Sequence, residues 1–124
     1  MSQVNFEHLF TPLQVGPMRV PNRICETTNT INSSMTPGMI DDHFIAHHAA
    51  KARGGTGWIG SETWLLNVPF PPETPDEVGL SIGCAAHATS YQFPAFAEGM
   101  KKFVDEVHKA GSVAIVQLTQ LTSA

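Results

Sequence analysis

Basic charge is scarce in this sequence. Lys and Arg number 7 against 11 Asp and Glu, a formal net charge of −4. That balance, with a pI near 5.8, excludes a nucleic-acid or membrane-surface role carried by a basic patch. Cysteine is nearly missing: Cys25 and Cys84 build no disulfide framework, and each reads as a small apolar residue. No apolar run nears the roughly 20 residues a membrane span needs. Met1 to Phe10 lacks the basic start and apolar core of a secretory leader. By elimination these absences read as a cytoplasmic protein. Internal repeats, low-complexity tracts and linkers are missing as well, so the 124 residues form one small domain, 1–124, with a modest core. A composition 42% hydrophobic and 15% charged is that of a globular chain.

What is present is an alternation of short apolar runs and helical patterns. Leu9 to Val20 holds Leu13, Val15, Met18 and Val20 around Gly16-Pro17 and reads as a small hairpin. Arg23 to Thr30 has the β-branched character of a strand, and Asn29 to Gly38 that of a loop. Asp41 to Arg53 reads as a helix. Its acids lie in the first turn and its bases in the last, Ile45, Ala49 and Ala52 fall on one stripe, and Gly54-Gly55 ends it. Trp58 to Leu66 is a short buried strand. Val68 to Pro94, with five prolines, is irregular and reads as a binding loop or a plain surface excursion. Phe96 to Ala110 repeats apolar residues at helical spacing up to Gly111, and Val113 to Leu118 is a closing strand. Hairpin, strand, helix, strand, helix, strand implies right-handed βαβ units on a parallel sheet.

Several clusters invite a chemical reading and are outweighed by a plainer one. His43 and His47 stand four apart, with Asp42 and His48 beside them, a spacing that can bind zinc. No Cys or Glu completes the ligand set, and surface histidines on a helix explain them better. Ser33, Ser34 and Ser61 lack the glycine-flanked elbow of a nucleophile. Gly54 to Gly57 precedes a strand, whereas phosphate-cradling loops lead from a strand into a helix. The better signal is positional, because parallel α/β folds bind ligands at the carboxyl ends of their strands. Those ends carry Thr27-Thr28-Asn29-Thr30, Glu62-Thr63 and Gln117, hydroxyl and amide groups suited to a neutral heteroaromatic ring with donor and acceptor edges.

Leu9-Phe10-Thr11-Pro12-Leu13, Val15-Gly16 and Asn22-Arg23-Ile24 resemble the opening signature of the old yellow enzyme family of flavin oxidoreductases. Lys51-Ala52-Arg53-Gly54-Gly55 with Trp58 to Thr63 resembles that family's first helix and second strand. Val104 to Gly111, running into Val116-Gln117-Leu118, resembles its second helix and third strand. The similarity runs from about Leu9 to Leu118 and is nearest the branch of trimethylamine dehydrogenase and 2,4-dienoyl-CoA reductase. It implies an α/β fold, the amino-terminal portion of an FMN-binding (β/α)₈ barrel, with about three of eight strands behind a hairpin. A whole barrel takes roughly 250 residues.

The resemblance implies FMN as cofactor and NAD(P)H as electron donor. It implies cofactor contacts from Thr27, Thr28, Asn29, Thr30, Thr63 and Gln117, and a substrate contact from Asn32. No metal ligand and no catalytic acid or base carries over. Thr30 stands where trimethylamine dehydrogenase has a cysteine bonded to its flavin, so a covalent link is not expected. Thr28 departs from a usual proline, Glu26 adds a carboxylate to the first strand, Gln120 replaces a frequent His, and Leu121 to Ala124 replaces a Gly-Arg continuation. The expected function is FMN-dependent hydride transfer from NAD(P)H to a small-molecule substrate such as an activated alkene, with this segment inactive alone and prone to associate with the remaining barrel segment or to oligomerise. The alternatives are a non-enzymatic fragment completed by another chain, or an independent α/β binding module. Neither nucleic acid nor membrane is an expected partner.

Overall fold

The structure is a computed structural model, and it describes residues 6–31, 33, 34, 39–65 and 94–119. A 3₁₀ turn, Glu7–Phe10, leads into β1 (Leu13–Val15) and β2 (Met18–Val20). These strands pair antiparallel, Val15 opposite Met18. Gly16 supplies the positive φ, 56°, on which the tight turn depends. Then follow β3 (Cys25–Glu26), α1 (Asp42–Arg53), β4 (Trp58–Leu65), α2 (Pro94–Lys109) and β5 (Val113–Thr119). The last three strands form a parallel sheet in the order β3-β4-β5.

The helices follow from their caps and stripes. The Asp41 side chain accepts from the Phe44 amide at 3.0 Å and so satisfies one of the donors left over at the start of α1. Phe44, Ile45, His48, Ala49 and Ala52 form its buried face. On α2, Phe103 and Val107 are fully buried, and the Phe44 and Phe103 rings meet edge to face with centroids 5.5 Å apart. Ile59 and Trp64 of β4 complete this core from the sheet side. Burying each such side chain contributes about 1.5–3 kcal/mol. α1 and α2 therefore lie on one face of the sheet, and the other face has no helix against it among the described residues.

The hairpin is fastened to the amino ends of the parallel strands. Arg23 donates its amide to Leu9 O at 2.9 Å, and the Gly57 amide reaches Ile24 O at 2.8 Å. A cavity of about 180 Å³ lies there, lined by Leu13, Val20, Asn22, Arg23, Ile24, Cys25 and Trp58.

Four expectations need correction. The strand read over Arg23 to Thr30 is a ladder at Cys25–Glu26 only; beyond it the chain is held by single contacts, Thr30 Oγ1 accepting from the Thr63 amide, rather than by a ladder. The second helix begins at Pro94, a residue assigned above to the irregular segment; proline's fixed φ and missing N–H suit a first helical position. Cys25 is exposed rather than packed away. His48 is no surface histidine but a core residue, 1% exposed. Asn32, Cys84, Gln120, the segment 121–124 and all of 68–93 lie outside the described residues.

Candidate functional site

The site is organised by an irregularity in β4. Gly60 pairs with Ile115, but the next paired residue is Thr63, opposite Gln117. Three steps on β4 thus match two on β5, a bulge of one residue. In a regular strand alternate side chains point the same way. With the bulge, Glu62 and Trp64 join Ile59 on the face under the helices, while Thr63 joins Gln117 on the uncovered face. The Trp64 indole then packs against Phe44 and Phe96, with centroids 5.8 and 4.9 Å away. Its Nε1–H donates to Ser61 Oγ at 3.2 Å.

Two successive β4 residues grip the chain that leaves β3. The Thr63 amide donates to Thr30 Oγ1 at 3.3 Å. Glu62, wholly buried, accepts from both the Ser33 amide at 2.9 Å and the Ser33 hydroxyl at 2.5 Å. From the helix side, Ser33 O meets the His43 ring, and Ser34 Oγ donates to Asp41 Oδ2 at 2.9 Å.

Behind Glu62 stands a chain of titratable groups. His48 Nε2 is 3.9 Å from Glu62 Oε1, and His48 Nδ1 is 3.7 Å from Glu26 Oε2. Glu26 Oε1 is held by Lys51 Nζ. Neither His48 nitrogen makes a hydrogen bond. Burial pushes the His48 imidazolium below the ordinary value of 6.5, opposed first by the Glu26 carboxylate, and Lys51 and His47 push the same way as burial.

Among the residues expected to line a cofactor, Thr63 and Gln117 are brought side by side on the uncovered face, half-buried and exposed respectively. Thr27 and Asn29 are exposed and Thr28 and Thr30 half-buried. Thr28 lies against Gly60, where a Cβ would fall 2.8 Å from the Thr28 amide nitrogen, so the glycine is what allows this close approach. The cavity beneath the hairpin is at the opposite, amino end of the strands and takes no part in this arrangement. Reading the sequence noted Glu26 only as an odd carboxylate and Glu62 only as a polar strand end. Their meeting with His48 joins residues distant in the chain, and no local spacing announces it. Among the described residues no cluster of three ligating side chains can hold a metal ion.

Comparison with known proteins settles the kinship. The model of the NADH:flavin oxidoreductase / NADH oxidase family matches residues 8–124. This chain belongs to that family. Among curated relatives it is 25% identical over 117 residues to an N,N-dimethylglycine/sarcosine dehydrogenase of Chromohalobacter salexigens, covering 94% of this chain and 15% of the relative. It is 25% identical over 114 residues to an NADH oxidase of Thermoanaerobacter brockii, covering 92% and 16%. Among solved structures, the old yellow enzyme from Trypanosoma cruzi superposes with a TM-score of 0.63 at 22% identity, over 93% of this chain and 27% of that one. Morphinone reductase in complex with tetrahydroNAD gives 0.55 at 25%, over 89% and 26%. The chain therefore spans about one-sixth of the length of the first two relatives. The old yellow enzyme resemblance read from the sequence holds, and the α/β fold matches one part of those larger proteins.

Proposed function

We propose that this chain forms the amino-terminal part of an FMN-binding barrel in a cytoplasmic NAD(P)H-dependent oxidoreductase, acting on a small molecule such as an activated alkene. The observation that carries the reading is the juxtaposition of Thr63 and Gln117 in register on the uncovered sheet face, with Thr30 tied to Thr63. Together with Thr27, Thr28 and Asn29 they offer hydroxyl and amide groups and no charge, a donor set that fits a neutral ring with donor and acceptor edges. The Gln117 amide would donate and accept toward that edge. Thr30 Oγ1 accepts from the Thr63 amide, so its own hydrogen is left to donate. When bound, FMN would supply the hydride chemistry, and these residues would bind and orient it. Asn32, outside the described residues, is proposed to touch substrate by its kinship alone.

Three parallel strands do not close a barrel, and the reading includes completion by further strands, whether from a longer chain or a partner. The test is to express these residues together with strands that complete the barrel and record the flavin absorbance near about 450 nm. A yellow protein is expected, and a colourless folded one would sink the reading. The 124 residues alone are expected to show no FMN-dependent NADPH oxidation.

A further inference from the structure

Glu62 is an acidic side chain with no exposure to water, an arrangement that is costly unless its oxygens are hydrogen-bonded. A leucine of similar volume would fill the space beneath α1 without that cost. What leucine cannot do is accept a hydrogen bond. Glu62 Oε1 accepts from Ser33 twice, from the amide at 2.9 Å and from the hydroxyl at 2.5 Å. The neighbouring Thr63 holds Thr30, three residues earlier, at 3.3 Å. The bulge between Gly60 and Thr63 sets which face each of these two β4 residues takes, Glu62 under the helices and Thr63 on the uncovered side.

We propose that Glu62 is a positioning residue, fixing the path of the chain as it leaves β3 by accepting from Ser33. His48 of α1 stands beside the same oxygen, its Nε2 3.9 Å from Oε1, and rings of Phe44 and Phe103 hold His48 in turn, with centroids 4.5 and 5.7 Å away. Glu62 is thereby braced between α1 and the chain it holds. The role in cofactor binding rests on the function proposed above, since it is Thr30 that the clamp keeps in place; the clamp itself does not.

The two can be tested apart, because hydrogen exchange at the Ser33 amide needs no flavin. Glu62→Leu preserves volume and removes the acceptor. Glu62→Gln preserves the acceptor oxygen in a side chain of the same shape. Ser33 amide protection, measured on the full chain, is expected to fall about tenfold or more in Glu62→Leu, the scale of a lost buried hydrogen bond. Glu62→Gln is expected to recover most of it. Amides of α2 far from the site serve as the internal reference and should not change. Parent-like protection in Glu62→Leu would overturn the proposal, since packing alone would then suffice. So would equal losses in the two variants. Should Glu62→Leu unfold, Ser33→Ala decides the matter: it removes the hydroxyl donor, and lower protection of the amide at position 33, relative to the intrinsic rate for alanine, is expected, while unchanged protection refutes the clamp.

Discussion

Gly99 on α2 and Ile40 ahead of α1 meet almost backbone to backbone. A Cβ on Gly99 would fall 2.3 Å from the Ile40 carbonyl oxygen and 2.8 Å from its Cβ. Alanine is the better helix former, by about 1 kcal/mol in a helix interior. Here the contact reverses the sign. Gly99→Ala is expected to lower stability by about 1–3 kcal/mol, the usual cost of overpacking, read as a lower urea midpoint. A midpoint at or above the parent's would show that the helices separate easily.

Stability should depend on pH through His48. Its folded pKa is lowered from 6.5 by burial, against the pull of Glu26. In the unfolded chain the imidazole takes up a proton at about its ordinary value, so below that pH the unfolded state binds more protons than the folded one. The stability is therefore fully present above the unfolded pKa and is lost as pH falls toward the folded value. The melting temperature is expected to be lower at mildly acid pH than at neutral pH, and His48→Phe should flatten that slope. An unchanged slope in the variant would assign the effect to other groups.

In a protein carrying the completed barrel, Gln117→Leu is expected to weaken FMN binding by about 1–3 kcal/mol, the cost of leaving a polar edge unpaired in a dry site. Lys101→Ala should change it little. Lys101 is an exposed α2 residue paired at the surface with Asp105. Fluorescence quenching during FMN titration of the apoprotein measures both. Equal affinities for the Gln117 variant and the parent remove Gln117 from the site.

The chain by itself is expected to associate. β5 has no strand beyond it among the described residues, and Leu118 and Val116 are 60% and 38% exposed. An unpaired edge with apolar side chains invites pairing. Sedimentation should show oligomers at about tens of micromolar, where exposed sheet edges aggregate. Leu118→Lys should shift the distribution toward monomer. A monodisperse parent monomer with a sharp thermal transition speaks against this.

The helices and the order of strands were open to reading because each is written locally. Ile45, Ala49 and Ala52 mark the buried side of α1, and Asp41 its start, within a dozen consecutive residues. Val113 to Leu118 announces β5 in the same way. The irregular parts answer to contacts made at a distance. Nothing around Arg23 to Thr30 tells that β4 will pair with only Cys25 and Glu26, since the partners, Trp58 and Ile59, lie some 33 residues on. His48 reads like the other histidines of α1 because part of what buries it, Phe103, comes from another helix. The strand-end threonines and Gln117 could be named from topology alone. The carboxylate that holds the chain beside them could not.

The bulge in β4 divides the molecule into a dry side and a wet one. The same eight residues laid out with an even pleat would bring Thr63 beneath α1 and turn Glu62 and Trp64 the other way. The core would lose its indole, and a carboxylate would emerge beside Gln117, on the face proposed to receive a neutral ring with donor and acceptor edges. One surplus residue keeps this from happening. A change of length between Gly60 and Thr63 would invert the strand as no substitution there can, so relatives are best aligned at this point by counting residues before comparing them.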